Sequence, residues 1–226
     1  RSLLEKDYQA LVESLCASRA CIAAENRNRL QDLTDYYTLW AHQIKTPISA
    51  MHLLLQEGGR PEEVKGELIK IEQYVEMVLS YLRLDSDSTD YVLRPCSLDT
   101  IVRRSVRRFA GLFVLKQIAL EFQETNKTVL TDEKWLLFVV GQVISNALKY
   151  TPRGGTVRIY GDGDTLVIAD NGIGIREEDQ PRVFEKGFTG NNGREDQKAT
   201  GIGLYLCRQV MDRLNHHITL VSRPGQ

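Results

Sequence analysis

Apolar residues along the first third of the chain fall at helical spacing. Tyr37, Trp40, Ile44, Ile48, Met51 and Leu55 form one seam, and Val64, Leu68, Ile71, Val75, Val78 and Leu82 form another with intervals alternating between four and three. Intervals of three and four keep side chains on one face of a helix and define a heptad stripe. Before Pro47 the sequence has neither Gly nor Pro, and Gly58-Gly59-Arg60-Pro61 then interrupts it. Pro61 followed by Glu62-Glu63 is a helix start, with acid at the positive end of the helix dipole. The pattern predicts an antiparallel helical hairpin. One hairpin buries two such seams poorly, and pairing two copies into a four-helix bundle solves this, so a homodimer is expected.

Asp85 to Asp90 is short and polar and reads as a linker. Beyond it the period changes. Helices are expected over 98–115, 132–150 and 203–214, and strands over 118–123, 128–130, 156–160, 165–169 and 217–222, with Asp162-Gly163 as a hairpin turn. Residues 171–200 are rich in Gly and charge and poor in core formers, which suggests a long functional loop. The fold class is therefore α+β: a helical stem over 1–88, then an α/β domain over 89–226.

Composition narrows the function. In 226 residues the formal net charge is -1, which gives no global support for nucleic-acid binding. The four cysteines form no CxxC pair, against a zinc site or a disulfide framework and in keeping with a reducing cytosol. The longest uncharged apolar run, Trp135 to Leu148, falls short of the roughly 20 residues of a membrane span. The chain opens at Arg1, inside a helical pattern, and is expected to be the cytoplasmic portion of a protein anchored in the membrane upstream. Arg103, Arg104, Arg107 and Arg108 stand at helical spacing and read as a solvated face or a partner contact.

Four motifs carry candidate chemistry. In Ala41-His42-Gln43-Ile44-Lys45-Thr46-Pro47, the heptad puts His42 on the outside of the stem. There an imidazole nitrogen can serve as a nucleophile, and Thr46 lies one turn on. Asn146, Lys149 and Tyr150 share one helix face. An amide oxygen is a hard ligand suited to Mg²⁺, and a lysine one turn on can meet phosphate. Asp170-Asn171-Gly172-Ile173-Gly174 follows a strand, placing a carboxylate where it can accept from an exocyclic amine beside glycines that allow close approach. Thr200-Gly201-Ile202-Gly203-Leu204 opens a helix, and a helix N-terminus seats phosphate. Singly, each motif also has a plain reading: a surface histidine, a polar helix face, a turn or an ordinary helix start. Their conjunction in this order is what weighs.

Together these residues resemble the two-component sensor histidine kinases. The match runs over the phospho-acceptor box at His42, the asparagine box at Asn146, the first glycine box at Asp170–Gly174, the Phe184-Glu185-Lys186-Gly187-Phe188 box and the second glycine box at Gly201–Gly203. The wording around His42 is similar to intramembrane-sensing kinases of Gram-positive bacteria that respond to antibiotics. The resemblance implies a dimerisation and phosphotransfer stem followed by a Bergerat-type ATPase sandwich. It also implies ATP and Mg²⁺ as cofactors, autophosphorylation of His42 and transfer to an aspartate of a response regulator. On this reading Asn146 holds the metal, Lys149, Tyr150 and the Thr200–Leu204 segment meet the phosphates, and Asp170, Gly172 and Gly174 seat the adenine. Phe184 and Phe188 pack the lid, and Thr46 orients water when the regulator is dephosphorylated. Gln43 stands where the family usually has an acid. It can accept a hydrogen bond from the imidazole but cannot take its proton, so slower autophosphorylation or altered phosphatase chemistry is expected. Gln142 replaces a second Asn. A phosphatase-biased or inactive dimeric module is the alternative, and another ATPase of the same sandwich fold is a third reading, opposed by the histidine-bearing stem.

Overall fold

A computed structural model describes residues 3–85, 91–190 and 201–223. Its contacts divide the chain into two units, Arg1–His42 and Gln43–Gln226. The stem–domain boundary expected at 88/89, and most of the expected linker, lie outside the described residues.

The first unit belongs to helix α1, Leu3–Gln56. Near its end, Trp40 stacks with Tyr36 at 5.9 Å between centroids and meets Tyr37 edge-on at 5.7 Å. Tyr8, Leu11, Leu15, Ile22 and Leu30 are exposed.

The second unit takes in the rest of α1, which continues as helix through Pro47. Gly58, at φ +70°, makes the turn, and Gly59 N–H donates to the Leu54 carbonyl at 2.6 Å. Helix α2, Pro61–Asp85, follows with Glu62 and Glu63 in its first turn. α2 has two apolar faces. Ile69, Met77, Tyr81 and Leu84 are buried, Ile69 within the core of the following domain. The expected seam residues Leu68, Val75 and Leu82 remain exposed, as do Ile48 and Leu55 of α1. Within α1 Trp40 is buried as the expected seam has it, but the next buried positions are Gln43 and Pro47, one residue before the expected Ile44 and Ile48. The reason lies across the hairpin, where the Tyr74 hydroxyl donates to Gln43 Oε1 at 3.0 Å.

Beyond the hairpin lie β1 (Arg94–Ser97), α3 (Leu98–Lys116), β2 (Ala119–Phe122), β3 (Thr128–Thr131), α4 (Glu133–Tyr150), β4 (Thr156–Asp162) and β5 (Thr165–Asp170). A 3₁₀ turn at Gln180–Arg182 and helix α5, Gly203–Arg213, complete the order. β1 and β3 form an antiparallel pair, while β4 runs parallel to β2 and antiparallel to β5. Val102 of α3, Ile144 of α4 and Val157 and Ile159 of β4 are fully buried between sheet and helices. At ~1.5–3 kcal/mol for each fully buried aliphatic side chain, these contacts outweigh the ion pairs around them. Arg94 and Arg104 share Glu133, Arg103 pairs with Glu124, and Arg108 pairs with Glu76 of α2. Three of the four clustered arginines therefore brace the fold itself, and each partly exposed pair contributes ~0–1 kcal/mol.

Beyond the hairpin the structure departs from the sequence expectation at three further places. β1 was not expected. The β4–β5 loop is Gly163-Asp164, with Asp162 opposite Thr165, one residue later than expected, because Gly163 takes the left-handed φ of +51°. Residues 217–222 form no strand. Their polar groups go to side chains instead: Arg208 donates to the Ile218 carbonyl at 3.1 Å, Gln180 to the Ser222 carbonyl at 2.8 Å, and the Ile175 N–H to Ser222 Oγ at 2.9 Å.

Caps fix the helix ends. Ser97 Oγ accepts from Thr100 N–H at 3.3 Å. Buried Asp132 caps α4 through the N–H groups of Lys134 and Trp135 and also accepts from Val92 N–H at 2.9 Å. Asp99 accepts from Thr125 N–H at 2.8 Å, from the Thr125 hydroxyl at 2.9 Å and from Asn126 N–H at 2.8 Å. Burial alone would push the Asp99 carboxyl up, but these donors, with Arg103, hold it below its ordinary value. A depressed carboxyl stabilises the fold above its unfolded value of about 3.9 and loses that contribution as pH falls through the folded value. Asp99→Asn should therefore lose stability less steeply than wild type as pH falls from about 5 to about 2. Urea midpoints measured across that range check this, and parallel curves would refute it.

Candidate active site

α4 is the element around which the site is built. Most of its length is core, with Ile144, Ala147 and Leu148 buried. Gln142, Asn146, Lys149 and Tyr150 are half-buried on its remaining side. A helix with so wide an apolar face leaves one narrow row for chemistry, and Asn146, Lys149 and Tyr150 occupy it as expected. The Lys149 ammonium lies 4.9 Å from the Tyr150 ring centroid.

The glycine-rich loop after β5 closes on the end of this helix. Asp170 is exposed at the strand terminus, and its Oδ1 accepts from Gly172 N–H at 3.0 Å. The Ile173 N–H donates to the Tyr150 carbonyl at 3.3 Å. A Cβ on Gly172 would stand 2.7 Å from that carbonyl oxygen and 2.6 Å from Asp170 Oδ1, so only glycine permits this approach. Gly174 lies two residues on at φ +69°. Asn171 ties the loop to the sheet, its Oδ1 accepting from Thr156 N–H at 2.7 Å.

The second glycine pair reaches the same helix. A Cβ on Gly203 would meet the Gln142 amide nitrogen at 2.4 Å, so Gln142 packs on the start of α5 where a bulkier residue at 203 would displace it. The cap position of α5 is Ile202, whose side chain has no acceptor for the first-turn N–H groups. Leu204 follows, half-buried. The Phe184–Phe188 segment closes on this turn: Gly187 N–H donates to the Gly201 carbonyl at 3.0 Å. A Cβ on Gly201, at φ +64°, would lie 2.4 Å from the Gly187 carbonyl carbon. Phe184 and Phe188 are half-buried beneath the guanidiniums of Arg208 and Arg182, at 5.8 and 4.5 Å from the ring centroids. Cys207 is fully enclosed in the underside of α5, and burial pushes its thiol up, keeping it protonated and unreactive. Thr200 lies outside the described residues, as does the 191–200 part of the expected loop.

On α1, His42 and Thr46 are exposed one turn apart, while Gln43 is buried. Burial pushes the Tyr74 phenol up, with Glu67 adding to the effect, so it stays a donor to Gln43. The amide anticipated as a partner for the imidazole is engaged across the hairpin.

Sequence reasoning missed two contributors. Gln142 reads from the sequence only as a replaced asparagine, whereas its side chain packs closely on Gly203 at the start of α5. Lys116, at the end of α3, donates to the carbonyls of Leu148, Lys149 and Thr151. A lysine in a last turn is an ordinary sequence feature, and nothing local marks these acceptors.

Residues 131–226 match the family described as Histidine kinase-, DNA gyrase B-, and HSP90-like ATPase. The chain is 34% identical over 210 residues to Sensor histidine kinase YxdK of Bacillus subtilis (strain 168), covering 89% of this chain and 65% of that protein. It is 30% identical over 232 residues to Sensor protein BceS of the same organism, covering 98% of this chain and 69% of that protein. The chain thus spans about two thirds of the length of these curated relatives. Among solved structures, the Acinetobacter baumannii histidine kinase AdeS shares the fold, with TM-score 0.56 at 20% identity over 81% of this chain and 92% of that one.

Two glycines separate the conformational effect of a side chain from the steric one. Gly154→Ala, at φ +83° in open space, should cost ~1–2 kcal/mol from the left-handed backbone alone. Gly201→Ala adds the clash with Gly187 and should cost clearly more. Thermal unfolding of both variants checks this, and equal losses would show that the 187–201 contact yields.

Proposed function

Since the chain belongs to the sensor histidine kinases, we propose that it transfers the γ-phosphoryl group of ATP to His42 and passes it on to an aspartate of a response-regulator protein. The observation that carries this reading is that both glycine turns pack on α4, one at the Tyr150 carbonyl and the other at Gln142, with the Phe184–Phe188 segment joined to the second turn. Adenine would be recognised by the exposed Asp170 carboxylate accepting from its exocyclic amine. Lys149, Tyr150 and the N–H groups opening α5 would face the phosphates, where the helix dipole favours negative charge.

Mg²⁺ fits the residues present. Asn146 offers a hard oxygen on the same row as Lys149, and among the described residues no group of three or more His, Cys, Asp or Glu could hold a metal. An ion held by one protein oxygen and completed by phosphates and water is ordinary for Mg²⁺; when bound it neutralises phosphate charge. In the transfer, a lone pair of the His42 imidazole forms the N–P bond as the bond to the β-phosphate oxygen breaks, and ADP leaves with that electron pair. The exposed Thr46 hydroxyl, one turn along, would orient the water that hydrolyses the regulator's aspartyl phosphate, releasing inorganic phosphate. The exposed seam residues Leu68, Val75 and Leu82 suit burial against a second copy, giving a homodimer. The full-length protein would be anchored in the membrane upstream, with this portion in the cytoplasm. Among the described residues no helix is long and apolar enough to cross a membrane.

Incubation with γ-labelled ATP and Mg²⁺ tests the reading. Wild type should acquire acid-labile phosphate, and His42→Ala should acquire none. Label persisting in His42→Ala would refute the acceptor, and an unlabelled wild type would favour an inert dimeric module.

A further inference from the structure

We propose that Lys116 is a positioning residue for the nucleotide site, holding the C-terminal end of α4 at a fixed spacing from the Asp170–Gly174 loop. This inference rests on the kinase reading above.

The last carbonyls of a helix have no partner within it and must find one elsewhere. At the end of α4 they are divided among three donors. The Ala147 carbonyl accepts from Thr151 N–H at 2.9 Å, which ends the helix. The Lys116 ammonium donates to the carbonyls of Leu148, of Lys149 at 3.2 Å and of Thr151 at 3.4 Å. The remaining carbonyl, of Tyr150, accepts from Ile173 N–H of the glycine loop. One cation thus gathers three carbonyls and leaves the fourth aimed at the loop. Lys116 is also well placed to do so. Its own carbonyl accepts from Gly154 N–H at 3.2 Å, and Ala119 N–H donates to the Gly155 carbonyl at 2.8 Å, so two backbone hydrogen bonds tie the chain leaving α3 to the loop that follows α4. A positive charge at a helix C-terminus is itself favourable.

The residues on either side of this clasp serve the two ends of one ligand. Asn146 and Lys149 lie in the last turns of α4, on the phosphate side, and Asp170 opens the loop on the adenine side. Without Lys116 the last turn of α4 and its cap residue Thr151 together lose three donor contacts, and the Tyr150–Ile173 bond loses its fixed origin. A nucleotide spanning both would bind less tightly in ground and transition states alike, which raises KM and spares kcat.

The test compares the full chain as wild type, Lys116→Met, Lys116→Gln and Lys116→Arg. It measures binding of a fluorescent ATP analogue with Mg²⁺, and autophosphorylation against ATP concentration. Met and Gln should each raise KM for ATP about tenfold, with kcat within about twofold, and Arg, which keeps charge and several donors, should recover most of the loss. Two neutral variants are included so that one folded protein, judged by circular dichroism, remains if the other collapses. A folded neutral variant that binds like wild type overturns the inference, as does an Arg variant no better than the neutral ones. Wild type that binds no nucleotide overturns the kinase reading, and this inference with it; a binding wild type matched by its neutral variants overturns this inference alone.

Discussion

Helix α4 has to be the centre of a core and the floor of a site within a single 18-residue element. Ile144 is fully buried, while Asn146, two residues on, is half-buried on the side facing the glycine turns. Two residues along a helix are separated by about 200° of arc, enough to put one side chain in the core and the other at its opposite edge. The glycine turns of the nucleotide site come to this helix. The loop after β5 meets its last carbonyls, the turn before α5 rests on Gln142, and the Phe184–Phe188 segment reaches it through Gly201. The glycines mark where backbone meets backbone or amide too closely for a side chain.

The stem is held by a similar double use of one helix. α2 gives Ile69 to the core of the α/β domain while leaving Leu68 exposed. The apolar burial of Ile69, Met77 and Leu84 outweighs the polar links beside it, such as Arg108 with Glu76 and Arg213 with the Leu84 carbonyl. Those links set register more than strength. Gln43 follows the same logic in α1, since a neutral amide can be buried against Tyr74 where a carboxylate would need a compensating charge.

Much of this was readable from the sequence because the informative residues act locally. Glycine pairs, the Asp170-Asn171-Gly172 turn and Pro61 with its acids declare element ends in a few residues, and the ends are where the chemistry sits. What was not readable depends on distant partners. Arg94-Pro95-Cys96-Ser97 has no alternation and becomes a strand only because β3 pairs with it. Residues 217–222 alternate well enough for a strand, yet their polar groups are taken up by Gln180, Arg208 and the Ile175 N–H. Past Trp40 the buried line of α1 runs through Gln43 and Pro47 rather than Ile44 and Ile48, because heptad counting could not include a tyrosine from the facing helix. The carbonyls gathered by Lys116 come from 32 to 35 residues away, beyond any local pattern.

The two-sided burial pattern of α2 has a mechanical corollary. Adjacent residues on a helix are offset by about 100°, so Leu68 and Ile69 work like neighbouring teeth of one pinion. A contact on the Leu68 side is carried by the same helix turn that places Ile69 in the core of the α/β domain. Whatever packs on the exposed flank of α2 would thus share one helix with the core of the α/β domain, about 100° round the axis from it.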